Sequence, residues 1–433
     1  MNIYDEIKRK ITGKRATQYR KSCLIIPCGW FGFDYKEIHK RASENNCHFI
    51  TYDFKEVDRS EKIYLDYCKY KEITYRGVNL YESSIYNICN DLELAPKFLD
   101  FSDQVQKKVL EKWYEIAARH VDYATRLFDE NKIELVIIPQ GYVLEAAVVR
   151  QIAVNRGVSV LAIENSLSKD KLLWDNVSGI TVNANLGKNY FWKFKSSIDE
   201  RTAIKYKEDF LRNIKLLKVS EHSSPKTQYP RNGGRKTILF LSQVYLDSSI
   251  IFGIYDFPDT VKIIEILCRF CERMNYELIV KLHPKEIEGN SILNRPYDKI
   301  TWRKIKSNKY LADKIEQQTY VHVDFENSYD TYSLISNADV CVTVNSMAGI
   351  EALLLGKNVI LCGQSSYGGL GFTFEAYNQE FLDFFLELVT TKNKTMINAD
   401  ADKFFYIYLE KYCIDKTNGA LISLIEKQQL ARR

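Results

Sequence analysis

Three short polar runs in the second half of the sequence carry residue types suited to holding an anion beside a carboxylate. Gln243 to Ser249 (QVYLDSS) follows the apolar run TILFLS, Lys281 to Pro284 (KLHP) follows YELIV, and Asn345-Ser346 follows ADVCVTV. The last run opens a helical stretch from Met347 to Leu355, whose free N–H groups the Asn345 and Ser346 side chains can cap. Those N–H groups and the helix dipole favour a bound anion such as phosphate. Gly349 permits close approach to the first turn, and Glu351 follows on the same surface. Asp247 adds a carboxylate, and Lys281 and His283 add positive charge. Each has a plainer alternative: Asp247 suits a helix cap, and His283-Pro284 suits the end of a strand.

The elements that must position these runs alternate between strand and helix, the pattern of a parallel sheet with helices on its faces. Such sheets bind ligands at the carboxyl ends of their strands, so the three runs are expected to converge on one crevice. Ala338 to Thr373 reads as a βαβ unit followed by the loop QSSYGGLGFT. There Tyr367 with Gly368, Gly369 and Gly371 either meets a nucleoside or makes a turn. The first half repeats the alternation: SCLIIP, the helix YKEIHKRASENN, HFITYDF, then IELVIIP, a turn at Gln140-Gly141-Tyr142, the helix LEAAVVRQIAVNRG and the strand VSVLAIE. That last strand delivers Glu164-Asn165-Ser166 at its end, where Glu164 is a candidate acid or base, or else a helix cap or a solvated loop carboxylate.

Residues 1–20, 82–92, 103–131 and 189–219 read as helical, and Ser220 to Lys236 is rich in Ser, Pro, Gly and charge, as an interdomain linker is. The expected organisation is α/β, with two Rossmann-like lobes facing across a cleft. Residues 1–234 form a first lobe with its linker, 235–395 a second lobe, and 396–433 C-terminal helices that pack back on the first.

Composition narrows the function classes. The 433 residues carry 61 Lys and Arg against 56 Asp and Glu, a net charge of only +5, and no basic run is interleaved with aromatics. Nucleic acid is therefore not an expected partner. No apolar run approaches the roughly 20 residues of a membrane span, so any membrane contact is expected to be peripheral. Ten cysteines are scattered through strands and helices, and the N-terminus lacks an apolar signal core. Both features point to a reducing, cytoplasmic compartment. Cys268-x-x-Cys271 lies in a helical pattern with no second pair, which favours a buried pair over a metal site. No Asp-x-Asp stands where a metal would need it.

Taken in order, Q-x-x-x-D-S-S, K-L-H-P and N-S-x-x-G-x-E-A-L-x-x-G-x-x-V-x-x-x-G-x-x-x-Y-x-x-x-G-x-T resemble the capsule polysaccharide synthase family, with Glu164-Asn165 matching in the first half. Characterised members are bacterial transferases of Kdo (3-deoxy-D-manno-oct-2-ulosonic acid) that use CMP-Kdo. The resemblance implies a GT-B fold, a donor nucleotide in the C-terminal lobe, an acceptor in the N-terminal lobe, and a retaining reaction that forms β-Kdo linkages without a metal or other cofactor. By that resemblance Asp247 attacks the anomeric carbon, Glu164 handles the acceptor proton, and His283, Ser346 and Gly349 hold the CMP phosphate. It places Gln243, Ser248, Ser249, Lys281, Asn345, Glu351, Tyr367 and Thr373 around the donor; the sugar carboxylate also needs a partner, for which Lys281, Ser248 and Ser249 are the nearest candidates in sequence. Gln140, Gly141 and Asn165 fall on the acceptor side. The partners so implied are CMP-Kdo and a saccharide or lipid-linked glycan acceptor of capsule or O-antigen synthesis, with peripheral contact to the inner membrane. A sialyltransferase-like enzyme, a nucleotide-sugar epimerase and a catalytically silent glycan-binding subunit are the alternatives.

Overall fold

The computed structural model describes residues 21–44, 47–57, 67–182, 185–221, 227–229, 234–288, 299–396 and 399–430. They divide into two compact units, one within 21–92, 100–181 and 413–430, the other within 93–99 and 182–412.

The first unit is built on the strands β1 (Lys21–Ile25), β2 (Cys47–Thr51), β5 (Ile133–Pro139), β6 (Ser159–Asn165), β7 (Lys171–Asp175) and β14 (Ile414–Asp415), with a small hairpin of β3 (Thr74–Tyr75) and β4 (Val78–Asn79) outside the sheet. The sheet order is β14-β7-β6-β5-β1-β2; β2, β1, β5 and β6 run parallel, and β7 is antiparallel to both its neighbours, β6 and β14. IELVIIP is buried at every position but Glu134, as a strand covered on both faces must be. Helix Gln104–Glu130 starts where Asp103 accepts hydrogen bonds from the Val105 and Gln106 N–H groups, and it buries the stripe Leu110, Tyr114, Ala117, Val121, Ala124 and Phe128. Val121, Val136 and Val148 share one core, all three with no exposed surface. Each such side chain contributes about 1.5–3 kcal/mol of burial.

The second unit holds β8 (Thr237–Leu241), β9 (Glu277–Lys281), β10 (Val321–Asp324), β11 (Val340–Thr343), β12 (Val359–Leu361) and β13 (Phe374–Glu375), all parallel, in the order β10-β9-β8-β11-β12-β13. Strand order therefore reverses between β8 and β11, the doubly wound arrangement whose ligand crevice opens at the reversal. Helix Thr260–Met274 packs beside this sheet with Cys268 and Cys271 buried as free thiols.

Three expectations about organisation differ from what is seen. Residues 189–219 form two helices, Leu186–Phe194 and Glu200–Glu221, because Asp199 accepts the Thr202 N–H at 3.0 Å and starts a new one. Both helices pack with Ala399–Ile407, through Phe191 on Phe404 and the ion pairs Lys195–Asp400 and Lys207–Asp402, each at 2.5 Å. The chain thus passes into the second unit after Thr181, ahead of the 234/235 division read from composition. Of the expected linker, Tyr229 is buried and donates to Glu277 at 2.7 Å, while 222–226 and 230–233 lie outside the described residues, as does the expected helix over 1–20. At the other end, Ala399–Ile407 stays in the second unit, and the first regains the chain from Cys413 on, where β14 pairs with β7 and Asn418 donates to Glu37 at 2.5 Å.

Candidate active site

In the second unit β9, β8 and β11 are consecutive and parallel, so their carboxyl ends share one edge. The Ser242 N–H donates to the Lys281 carbonyl at 3.0 Å and the Thr343 hydroxyl to the Leu241 carbonyl at 2.8 Å, which holds the three ends level. His283, Gln243 and Asn345 each stand two residues beyond a strand end. The three runs are thus brought together on the edge where the strand order reverses.

Their side chains divide into two groups. Gln243 and Asn345 are buried and bonded to each other: Gln243 Nε2 donates to Asn345 Oδ1 at 2.6 Å, and the Asn345 N–H donates to Gln243 Oε1 at 3.3 Å. Asn345 Nδ2 donates to the carbonyls of Ser249 at 2.7 Å and Gln364 at 3.0 Å. Gln243 Nε2 also donates to the Ser249 hydroxyl, which donates to Asp247 Oδ1 at 2.7 Å. Asp247 caps the short helix Ser248–Ile251, accepting the Ser249 N–H at 2.9 Å, and stays half-buried. It is thus both a cap and the partly exposed end of a polar chain that begins at Asn345. Ser248 beside it is buried.

Lys281 turns inward. It is 4% exposed, pairs with Asp324 at 2.5 Å, and also donates to Asn327 and to the Tyr329 carbonyl at 3.1 Å. Three protons meet three acceptors, so the ammonium ties β9 to the loop after β10. His283 is half-buried, and its Nδ1 accepts the Lys285 N–H at 3.1 Å. Ser346 is also half-buried; its hydroxyl accepts the Ala348 N–H at 3.3 Å, and helix Ala348–Leu354 begins there.

Gly349 is explained by packing. The Tyr367 hydroxyl donates to the Ser346 carbonyl directly over it, and a Cβ at Gly349 would overlap that oxygen. Tyr367 has no exposed surface, and burial drives its phenol well above the usual range. Glu351 is buried, accepting from Tyr332 at 2.9 Å. In the glycine-rich loop Glu375 accepts from the Gly369 N–H at 2.8 Å and the buried Thr373 hydroxyl at 2.5 Å. Gly369 and Gly371 have φ of +73° and +90°, which only glycine adopts readily.

In the first unit Glu164, next to last in β6, is half-buried between two donors: Gln140 Nε2 reaches its Oε1 at 2.9 Å and the Thr181 hydroxyl its Oε2 at 2.6 Å. Gln140 follows β5 with φ of +55°, a left-handed conformation rare for a residue with a side chain. Gly141, at φ +85°, lies against the Gly179 carbonyl so closely that a Cβ would overlap it. Asn165 is exposed and accepts from Lys416 at 3.0 Å.

Several residues that organise these sites were not read from the sequence. Thr301 accepts the Tyr245 N–H at 2.9 Å and donates to Glu286, so the loop bearing Asp247 is bolted to the segment after His283-Pro284. Glu286 is 1% exposed, and burial raises its carboxyl above the usual range against the two Thr301 bonds that lower it. Tyr245 also donates to Asp259 at 2.7 Å. Thr181 depends on a turn at Asp175, whose Oδ1 accepts the N–H groups of Val177, Ser178 and Gly179 at 3.1, 2.7 and 2.8 Å. Asp-x-x-Ser-Gly is a turn signature that would have marked this segment. Among the described residues no group of three or more His, Cys, Asp or Glu is placed to hold a metal ion, and no helix is long and apolar enough to cross a membrane.

Comparison with known proteins adds relatives. The chain is 28% identical over 175 residues to the capsule polysaccharide modification protein LipA of Neisseria meningitidis serogroup B, and 60% identical over 45 residues to protein FixF of Sinorhizobium fredii. These matches take in 38% and 10% of the chain, and only 22% and 11% of those relatives' own lengths. Among solved structures, Thermosulfurimonas dismutans KpsC, described as a beta Kdo 2,7 transferase, aligns at 20% identity over 68% of this chain and 82% of its own, with a TM-score of 0.44. The family model described as capsule polysaccharide biosynthesis protein matches residues 193–413, half of the sequence and all three polar runs of the second unit, and the chain belongs to that family.

Proposed function

We propose that this protein is a retaining glycosyltransferase of GT-B type that moves Kdo from CMP-Kdo to a saccharide acceptor in bacterial surface polysaccharide synthesis. The second unit takes the nucleotide donor and the first the acceptor. The observation that carries this reading is the polar chain Asn345–Gln243–Ser249–Asp247 at the strand-order reversal, in a member of a capsule polysaccharide biosynthesis family. It holds one carboxylate at the sheet edge where a ligand crevice belongs.

In the first step a carboxylate oxygen of Asp247 bonds to the anomeric carbon of Kdo while that carbon's bond to the phosphate oxygen breaks and CMP departs with the electron pair. In the second, the acceptor hydroxyl oxygen bonds to the same carbon, its proton passes to Glu164, and the bond to Asp247 breaks. Two inversions retain configuration. His283 and the helix start at Ser346 face the charge that grows on the departing phosphate. Gln243, Asn345, Lys281, Glu351, Tyr367 and Thr373 serve the donor site by fixing its walls, because their polar groups are engaged within the protein. The reading places the enzyme in the cytoplasm with peripheral contact to the inner membrane.

Asp247→Asn tests it. The asparagine oxygen can still accept from Ser249, so the variant should fold and bind CMP while transfer from CMP-Kdo, followed by product mass spectrometry, falls by a factor of about 1,000 or more. Parental transfer in the variant removes Asp247 from the chemistry. Product from CMP-sialic acid alone changes the donor, and no product from any CMP-sugar favours a silent glycan-binding subunit.

A further inference from the structure

The clamp on Glu164 is asymmetric. Gln140 Nε2 can only donate, whereas a threonine hydroxyl both donates and accepts. Thr181 Oγ1 lies 2.6 Å from Glu164 Oε2 and 3.3 Å from the Gln140 carbonyl, so its proton has two stations. With Glu164 ionised, the hydroxyl donates to Oε2. With a proton on Oε2, the hydroxyl turns to the Gln140 carbonyl and accepts that proton's hydrogen bond, with no heavy atom moving.

We propose that Thr181 is the positioning residue of Glu164, a two-station hydroxyl that keeps the carboxyl group in one place whether or not it carries a proton. The proposal rests on the reading of Glu164 as the group that takes the acceptor proton and must shed it before the next turnover. Geometry fixes Thr181 for the task. Its N–H donates to the same Gln140 carbonyl at 3.0 Å, and Thr181 and Gln140 are 4% and 8% exposed. The Asp175 turn presses the Gly179 carbonyl against Gly141, so the segment leading to Thr181 and the turn carrying Gln140 are locked together. Gln140 holds a left-handed φ here, a strain that goes with a position fixed by its surroundings.

Charged groups on the surrounding elements have partners of their own. Lys171 pairs with Asp415 at 3.1 Å, Lys416 meets Asn165, Arg150 bonds Glu82 at 2.5 Å and the Gly141 carbonyl at 3.3 Å, and Asp175 serves its turn. Glu145, in the first turn of helix Leu144–Asn155, is held above the usual carboxylate range by burial.

The test compares Thr181→Val, which removes the hydroxyl but keeps the branched shape, with Thr181→Ser, which keeps the hydroxyl, both checked for parental melting. Protein labelled with 13C-glutamate is titrated by NMR, and the Glu164 resonance is identified by its loss in Glu164→Gln. In Thr181→Val the Glu164 resonance should titrate at higher pH than in the parent, because a bond to the ionised form is lost. Transfer should fall about tenfold, with the acid limb of its pH profile moving up, and Thr181→Ser should restore both. An unmoved titration in Thr181→Val overturns the proposal. Parental transfer by Glu164→Gln, with the titration still moved, leaves Thr181 as the partner of Glu164 and sinks the acid–base reading instead.

Discussion

Gln243 and Asn345 join two strand ends 102 residues apart at the reversal of strand order in the second sheet, the Gln243 amide donating to the Asn345 side chain and accepting from its backbone N–H. Asp247, through Ser249, hangs from this pair. A carboxylate on a flexible loop wanders; one suspended from a buried amide pair is held in one place, as the proposed attack on a sugar carbon requires.

Asn345→Ala should therefore do more than remove a contact. It takes away the Oδ1 to which Gln243 Nε2 donates and leaves the carbonyls of Ser249 and Gln364 without their donor, so the loss should be about 3 kcal/mol of unfolding free energy. Urea denaturation of Asn345→Ala, Gln243→Ala and the double variant measures it. The double should cost well below the sum of the singles, because both singles remove the same Nε2–Oδ1 bond. Strict additivity would show that the two amides do not act as a unit.

Lys281 yields a prediction of opposite flavour to the role its sequence suggests. Beside K-L-H-P it reads as a cation for the sugar carboxylate, yet its charge is balanced by Asp324 in the interior. Lys281→Met should destabilise the protein by about 3–5 kcal/mol by leaving a buried carboxylate unpaired. Adding Asp324→Asn should recover part of that loss. A Lys281→Met protein as stable as the parent, but weaker for the donor, would return Lys281 to the ligand.

How far the sequence speaks is set by what each motif residue must satisfy. Strands such as Ile133–Pro139 are legible because full burial forces a run of apolar side chains, and helix Gln379–Thr390 because its stripe has helical period. The polar runs are legible as a set, since Asp247, His283 and Asn345-Ser346 all follow such strands. Which of their side chains turn inward is not. A buried amide pair and a ligand-binding amide pair have the same letters, and Gly349 is required by the Tyr367 hydroxyl, 18 positions away, as much as by any ligand. Thr181 escaped because one threonine carries no pattern. The passage between units after Thr181 escaped because helices Leu186–Phe194 and Glu200–Glu221 bind a helix two hundred residues later, a pairing that local composition cannot encode.

His120 makes the first unit sensitive to acid. Its Nδ1 meets the Tyr52 hydroxyl at 2.8 Å with the two rings parallel, and burial lowers its pKa to about 4. In the unfolded chain a histidine takes its proton near pH 6.5. Between these values the unfolded state binds a proton that the folded state refuses, so stability rises with pH across the window. The contribution is complete above about pH 6.5 and is lost as pH falls toward 4, with a slope of at most about 1.4 kcal/mol per pH unit. His120→Asn removes the titration while its Oδ1 can still accept from Tyr52. Urea midpoints from pH 7.5 down to 4.5 should therefore fall more steeply for the parent than for the variant. His39 and His48, also lowered by burial, are common to both proteins and cancel in the comparison. Parallel curves would mean that His120 takes up its proton without cost to the fold.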